Sequence, residues 1–600
     1  MAGYIALAWH DEFGRHEGEQ FATNLRHRHH LVAALETDRL IVLVHRQQQY
    51  LAIGKAGVII GEVFTRDDNA APVDAISPGI VERAKRTSGA SLLTDLWGDY
   101  LAFLDQPDQP IALLRDPGGG IACYTSPWGR LRTFFSSAQL AFETGLLAPV
   151  VDWIGVSQHL AHGTFHTSRT CLSEVREVLP GTHCRVAEGG LTHDTAWNPW
   201  RFADPKAQIR DRGVAVELMR AELLRTARAL SHADGPTLLE LSGGLDSSLV
   251  GLSLHHAGRS VECLTLVTLD PGADERRYAQ LLADAIGAPL HAAALLPPED
   301  DPTLPGRSLS ARPAGHILSR IADELFEHYG RALDVKGYFG GGGGDYVLCY
   351  LGTSAPAADA LRAHGPGRTF RQAVVDLAAL YRCTIWKAGR LALVKAWRGV
   401  HPSPASPSRF LSRAAIATEP DLHPWFPPPD GAWPGKVEQI IAIAAGYENL
   451  DARGRAVHAP TRQPLTAQPM IELCLTIPSW MSIAGGRNRA VARDAFGHDL
   501  PKEILNRRTK GDFSGFNADV FGRNRALLLK TLEGGELDGH GLLDLDAIRS
   551  YLAPDRPMME AGFAEILKLA SAEHWVRALG DAGQPHQLRE DAPSAVASLR

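Results

Sequence analysis

Six hundred residues exceed what a single hydrophobic core organises, so two or more domains are expected. A composition of 45% hydrophobic and 22% charged residues is that of a soluble globular protein, and a net charge of −7 argues against a dominant nucleic-acid surface. No run of about 18 apolar residues marks a membrane span, and Met1-Ala2-Gly3-Tyr4 opens without the basic stretch of a secretory signal.

Residues 1 to about 200 read as β-rich. Apolar runs bounded by turns recur at Tyr4–Ala8, Leu40–His45, Tyr50–Ile53, Val58–Phe64, Asp99–Leu104, Ile111–Arg115, Ala122–Thr125 and Thr133–Ser136, with helical patterns near Pro78–Ser88 and Val156–His162. This predicts a layered αβ domain built on antiparallel sheets. The stretch Arg26-His27-Arg28-His29-His30 reads as a solvated loop or helix face, since no carboxylate or cysteine nearby completes a metal set. The seven cysteines (Cys123, Cys171, Cys184, Cys263, Cys349, Cys383 and Cys474) form no Cys-x-x-Cys, which fits free thiols in a reducing cytoplasm. Residues 201–208, polar with Pro205, read as a linker.

From Asp211 to His232 the apolar spacing is that of an amphipathic helix. Leu238–Leu241 then reads as a buried strand ending in Ser242-Gly243-Gly244, and a helical pattern starts near Asp246. Strand, glycine turn and helix N-terminus make an anion site. Gly243 and Gly244 allow close approach to a phosphate, and Ser242, Ser247 and Ser248 add hydroxyls. Asp246 would repel a phosphate unless Mg²⁺ lies between them. A second strand at Val261–Leu269, helices from Asp274 to Ile286 and from Gly315 to His328, and a third strand at Ala332–Tyr338 follow. This alternation predicts a parallel sheet with helices on both faces and ligands at the carboxyl ends of its strands. The third strand runs into Gly340-Gly341-Gly342-Gly343-Gly344-Asp345-Tyr346, a close-approach loop rather than a linker, and Asp345 can join Asp246 on Mg²⁺. Residues 352–435 are poor in regular signals. Pro402, Pro404, Pro407, Pro420, Pro424, Pro427, Pro428 and Pro429 crowd one part, and Tyr381, Trp386, Lys387, Arg390, Lys395, Trp397 and Arg398 another. They read as covering helices with a proline-rich loop, or as a peptide-binding surface.

Ser242-Gly243-Gly244-Leu245-Asp246-Ser247 lacks the Gly-Lys ending of a Walker loop. It resembles the pyrophosphate loop of the ATP pyrophosphatases, which cleave ATP between its α and β phosphates and adenylate a substrate oxygen. Gly340–Asp345 resembles the glycine loop of asparagine synthetases, with Asp345 at the metal-binding aspartate and Gly342 where that family carries a Glu that handles ammonia. A last block contains Arg462-Gln463-Pro464-Leu465, Arg489 to Arg493, Leu500-Pro501 and Arg507-Arg508-Thr509-Lys510-Gly511-Asp512-Phe513. It is similar to the C-terminal run of the same family and puts Lys510 on the lysine that stabilises charge in the adenylation and amide-forming transition states. Gly98-Asp99-Tyr100, Arg115-Asp116-Pro117-Gly118 and Phe135-Ser136-Ser137 look like the family's glutaminase domain. Working glutaminases of this kind place a nucleophilic Cys directly after the initiator Met. Here Ala2 stands there.

The resemblance implies an inactive glutaminase-like αββα sandwich of the Ntn type over residues 1–205. Residues 206–600 would form a synthetase domain with the doubly wound parallel sheet of the ATP pyrophosphatases. It implies Leu241, Ser242, Gly243, Gly244, Asp246, Ser247, Ser248, Val267, Gly340 and Gly341 around ATP, Asp246 and Asp345 on Mg²⁺, and Lys510 and Tyr346 in catalysis. Tyr338 and Asp376 stand beside Tyr346 as candidate bases. With Ala2 and Gly342, the chain looks most like a lasso peptide cyclase of antibiotic biosynthesis. Such an enzyme adenylates a side-chain carboxylate of a ribosomal precursor peptide, and the peptide's own N-terminal amine closes a macrolactam. An asparagine synthetase-like or β-lactam synthetase-like ligase of a small amino acid is the alternative. The expected partners are the precursor peptide, a leader-peptide-binding protein and a leader protease, with no nucleic acid and no membrane, in the cytoplasm.

Overall fold

The computed structural model describes residues 3–582 apart from 164–165, 189, 269, 271–273, 298–308, 314–316, 401–407, 418–420, 448–453, 508–510, 512 and 554–561. Ala2, Leu269, Gly315, Pro402, Pro404, Pro407, Pro420, Arg508, Thr509, Lys510 and Asp512 therefore lie outside the described residues.

The first part supplies twelve strands: β1 (Tyr4–Ala8), β2 (Val32–Glu36), β3 (Leu40–Val44), β4 (Tyr50–Ala52), β5 (Gly57–Thr65), β6 (Leu96–Leu104), β7 (Ile111–Arg115), β8 (Tyr124–Trp128), β9 (Leu131–Phe135), β10 (Arg176–Glu177), β11 (Thr182–Ala187) and β12 (Gly190–Thr195). They form two antiparallel six-stranded sheets, ordered β10-β8-β9-β1-β3-β2 and β12-β11-β7-β6-β5-β4. Because side chains alternate along a strand, β1 splits its residues between two cores. Tyr4, Ala6 and Ala8 meet Val58, Ile60, Leu101 and Phe103 of the other sheet, while Ile5 and Leu7 meet Phe21, Ala22 and Leu25 of the helix Glu12–His29. On the far side of the second sheet, Tyr100, Ala102 and Leu104 pack against Ala84 and Leu92. Helix, sheet, sheet and helix are thus stacked, and the central strands are buried on both faces, which is why β1 and β3 are apolar throughout, and β7 up to Arg115, rather than alternating.

The helix Glu12–His29 shows only a weak apolar period in the sequence because the first half of its buried face is glycine, Gly14 and Gly18 against Trp9, ahead of Phe21, Ala22 and Leu25. Asp11 caps it, accepting from Gly14 N at 2.6 Å. Arg26–His29 form its last turn, where cations complement the helix dipole, and His30 ends it in the left-handed region. Among the described residues no group of three or more His, Cys, Asp or Glu could hold a metal ion.

The second part forms a parallel sheet from β13 (Thr237–Glu240), β14 (Val261–Val267), β15 (Leu290–Ala294), β16 (Gly337–Phe339) and β17 (Thr461–Arg462), ordered β15-β14-β13-β16-β17. Leu238 faces Phe326 of the helix Ile317–Ala332. Leu239 faces Leu249 and Leu282 of the helices Leu245–His256 and Arg276–Ile286, so helices cover both faces. Strand order reverses between β13 and β16, the switch point at which such sheets bind ligands. The expected strand Ala332–Tyr338 shortens to β16, because Leu333 N and Val335 N still bond to carbonyls of the preceding helix, at Tyr329 and Gly330. Part of the weakly patterned stretch 352–435 forms three helices, Ala355–His364, Arg368–Leu380 and Ile385–Arg398, around a small core.

The expected linker 201–208 is packed instead. Gln208 is buried and donates to Phe202 O at 2.8 Å and Leu475 O at 3.0 Å. The second antiparallel sheet meets the helix Gln468–Thr476 through Arg66–Glu472 (2.8 Å) and Trp197 Nε1 to Glu472 Oε1 (2.9 Å). No described helix is long and apolar enough to cross a membrane.

Candidate active site

The site grows from the carboxyl ends of β13 and β16. Past β13, Leu241 is buried, its N–H still bonded to Leu264 O on β14 at 2.9 Å. Gly243 then turns at φ +62°, where a Cβ would stand 2.5 Å from Tyr278 Cβ. The Ser242 and Ser247 hydroxyls are 3.2 Å apart, and Gly244 N donates to Ser242 Oγ at 3.4 Å. The helix Leu245–His256 that follows has no side-chain cap, which leaves its first-turn amides to an anion. Ser248 is buried. Val267 ends β14, one strand over from β13, and accepts from Leu295 N at 2.7 Å.

The second loop leans on the first. A Cβ at Gly341 would lie 2.5 Å from Ser247 N, and one at Gly344 2.5 Å from Asp246 Cγ. Backbone at those two positions therefore touches the helix that carries Asp246, so the glycine run is an ordered part of the site. Gly340 N bonds to Arg462 O at 3.3 Å, and Gly342 N to Gln463 Oε1 at 2.8 Å, which anchors the loop to β17 and the residue after it.

Asp246 and Asp345 converge. One nitrogen, Arg489 Nη1, donates to Asp246 Oδ2 at 2.6 Å and to Asp345 Oδ1 at 2.5 Å. Two carboxylate oxygens aimed at one point from two strand ends are the hard oxygen set that suits Mg²⁺. Asp246 is 13% exposed and Asp345 47%, so the pair opens to solvent on one side. Arg489 is held with φ +47°, unusual outside glycine, and its guanidinium lies over the Tyr350 ring at 5.2 Å. Behind it, burial together with Arg489 and Arg487 pushes the Arg493 guanidinium down to about 10.

Lys510 lies outside the described residues, but both described flanks are fixed beside the loop. Arg507 donates to Gly243 O at 3.1 Å, pairs with Glu275 and stacks on the Tyr278 ring at 3.9 Å. Gly511 N donates to the same Glu275 Oε1 at 2.7 Å. Arg489, Arg507, Glu275, Tyr278 and Gln463 are the neighbours that sequence reasoning did not assign. The signal for Gln463, Arg489 and Arg507 was the arginine-rich last block, and Glu275 and Tyr278 sit in the helix start that follows the second strand.

The three candidate bases separate. Tyr346 is 42% exposed, directly after Asp345. Tyr338 is buried on the face of the helix Ile317–Ala332, its hydroxyl 2.9 Å from His458 Nδ1, and burial pushes it up to about 12. Asp376 is also buried, accepting from Gly485 N at 2.8 Å and Gln372 Nε2 at 3.2 Å. Those two hold structure, and the expectation that either is a base is corrected.

Between the antiparallel sheets and the glycine loop lies a cavity of about 100 Å³, with Asp99, Arg115, Glu177, Gly342, Gly343 and Tyr447 in its wall. Arg462 pairs with Asp99 of this wall at 2.9 Å and with Glu62. No thiol of the described first part is poised for attack. Cys123, Cys171 and Cys184 are all buried, and burial pushes Cys123 and Cys171 up to about 12 and Cys184 higher still.

A family model described as asparagine synthase matches residues 218–577. Similar solved structures include the glutamine phosphoribosylpyrophosphate (PRPP) amidotransferase of B. subtilis complexed with ADP and GMP. It is 13% identical over 49% of this chain and 82% of that one, with a TM-score of 0.21. Another is an allosteric regulatory enzyme of purine biosynthesis, 11% identical over 54% and 87%, also with a TM-score of 0.21. No curated protein sequence matches the chain.

Proposed function

The chain belongs to the asparagine synthase family, and from that premise we propose that it is a lasso peptide cyclase. The family makes it an ATP-dependent carbon–nitrogen ligase. The finer reading is that it adenylates a side-chain carboxylate of a ribosomal precursor peptide and joins it to the peptide's N-terminal amine, releasing AMP and pyrophosphate. Residues 1–205 act as an inert shell and 206–600 as the synthetase.

The observation that carries this reading is the contrast in the last section. Two carboxylates converge at the switch point, whereas every described thiol of the first part is buried and held protonated. An ammonia supply from glutamine needs a thiolate, and position 2 is Ala2. In this reading the nucleophile arrives with the substrate. Gly342, where the family's ammonia-handling Glu would stand, supports the same conclusion.

Asp246 and Asp345 are the residues that would hold Mg²⁺, which supplies charge neutralisation at the phosphates when bound. Gly243, Gly244 and the uncapped helix start cradle the phosphates that leave as pyrophosphate, with Ser242 and Ser247 donating hydroxyls. Arg489 keeps the two aspartates from repelling each other. Lys510, between flanks fixed to Glu275, neutralises the pentacoordinate phosphate and then the tetrahedral oxyanion. Tyr346, directly after Asp345 and partly exposed, is the candidate base. A folded peptide that holds its own amine near the acyl group supplies proximity, with effective molarities of about 10⁵ M or more in well-held cases.

Pyrophosphate release from ATP tests the proposal. Release is expected with a precursor peptide carrying an internal Asp or Glu, together with a product lighter by one water. Release with aspartate plus ammonia or another small amino acid, and none with any peptide, would replace the cyclase reading by the small-molecule ligase.

A further inference from the structure

The helix Ile385–Arg398 is built inside out. Ala388 and Ala392 make its buried face against the helices Ala355–His364 and Arg368–Leu380. Trp386 and Trp397 are 82% and 83% exposed. At helical spacing Trp386, Arg390, Leu393 and Trp397 fall within a stripe about 60° wide, opposite the two alanines. Surface helices normally run the other way, with large apolar residues inward. The two indoles stand roughly 16 Å apart along the axis, and Lys387 and Arg398 flank them, both exposed.

The charge is as one-sided as the burial. Between Asp376 and Glu419 the sequence holds no acidic residue, in a chain whose net charge is −7. The acids packed beneath the helix do not offset this, since Asp359 and Asp376 are buried and Glu438 pairs with Lys395. An occupant must therefore be apolar and anionic at once.

We infer that this helix seats the protein peripherally on an anionic phospholipid surface. A second copy across a two-fold axis would set Lys and Arg against Lys and Arg. A peptide would need walls, and the indoles project as a ridge. A bilayer interface is flat and anionic. It takes tryptophan at the headgroup level and lets Lys and Arg reach the phosphates while their stems lie on apolar surface. No spanning helix is required. This departs from the expectation that no membrane is engaged, which rested on the lack of a spanning segment. It is independent of the ligase chemistry.

Full-length protein is sedimented with vesicles of phosphatidylcholine alone and of phosphatidylcholine with 30–40% phosphatidylglycerol (roughly the anionic fraction needed for a strong surface potential). Binding is expected only to the anionic vesicles, with a blue shift of tryptophan emission and release at high salt. Trp386→Ala with Trp397→Ala should weaken partitioning at least about tenfold, and Lys387→Ser with Arg390→Ser and Arg398→Ser should remove the preference for anionic lipid. Both variants alter exposed side chains, so unchanged melting temperatures check their folding. Absence of wild-type binding, equal binding to neutral vesicles, or variants that bind as wild type would each overturn the inference. So would self-association without lipid that the tryptophan variant abolishes, since that identifies a second copy as the occupant.

Discussion

Glu177 and the Asp246–Asp345 pair use the same chemistry, carboxylate on arginine, to opposite ends. Glu177 lies in the antiparallel half with Arg115 at 3.0 Å, Arg312 at 2.6 Å and His166 at 3.0 Å, all side chains nearly sealed from water. Arg312 comes from beyond β15, so this knot ties the two halves of the chain together. At the switch point, one cation serves two carboxylates and one side stays wet. Excess positive charge around a buried acid makes a permanent joint. Excess negative charge around one arginine, with the Asp345 carboxylate open to solvent, makes a place that can exchange its cation.

Breaking the joint should have the largest effect. Glu177→Gln leaves Arg115 and Arg312 without their counter-charge and should cost about 3–5 kcal/mol of stability in urea unfolding. The desolvation of Glu177 by itself works against its ionised form, but His166, Arg312 and Arg115 overcome this and hold the carboxyl well below its ordinary range. A depressed acid contributes stability above its unfolded value. The wild-type protein should therefore begin to lose this contribution as pH falls below about 4.3, and the variant should lack that part of the acid transition.

The exchangeable pair should respond in activity instead. Asp345→Asn is expected to slow pyrophosphate release by about a hundredfold, near 2.7 kcal/mol, while unfolding shifts by less than about 1 kcal/mol. Comparable losses in both measurements would make it a second structural joint.

Gly341→Ala probes the contact between the two loops. The added methyl meets backbone at Ser247 N, which cannot move aside cheaply, so a loss of about 1–3 kcal/mol is expected together with weakened nucleotide binding by calorimetry. The smallest effect belongs to the first half. Cys123→Ala should leave peptide-dependent pyrophosphate release within about twofold, because that thiol is buried and protonated. A large loss without unfolding would put a working thiol back into the shell.

Local signals made much of this legible. The strand–glycine–helix at 238–256 stood out because its turn chemistry and apolar run are contiguous. β1 and β7 were readable as apolar runs with their observed ends, and β5 and β6 with ends shifted by one to three residues. The helix Glu12–His29 was not, since glycine against tryptophan at Gly14 and Gly18 leaves its apolar period confined to Phe21, Ala22 and Leu25. Arg489 could not be paired with Asp246 from spacing, because 243 residues separate them and only the sheet order brings them together. The Tyr338 hydroxyl was misread for a similar reason: β16 places its side chain on the face opposite the switch-point helix, and strand ends alone do not reveal which face a residue takes.

The bare contacts of Gly341 and Gly344 with the Asp246 helix have a thermodynamic consequence. Neither loop can loosen alone, so a nucleotide that grips one also holds the centre of the sheet. Occupancy should then appear as a rise in melting temperature, scaling with the logarithm of ligand concentration above its dissociation constant. Thermal shift with ATP, with its non-hydrolysable analogue, or with pyrophosphate would thus rank ligands before any substrate is identified.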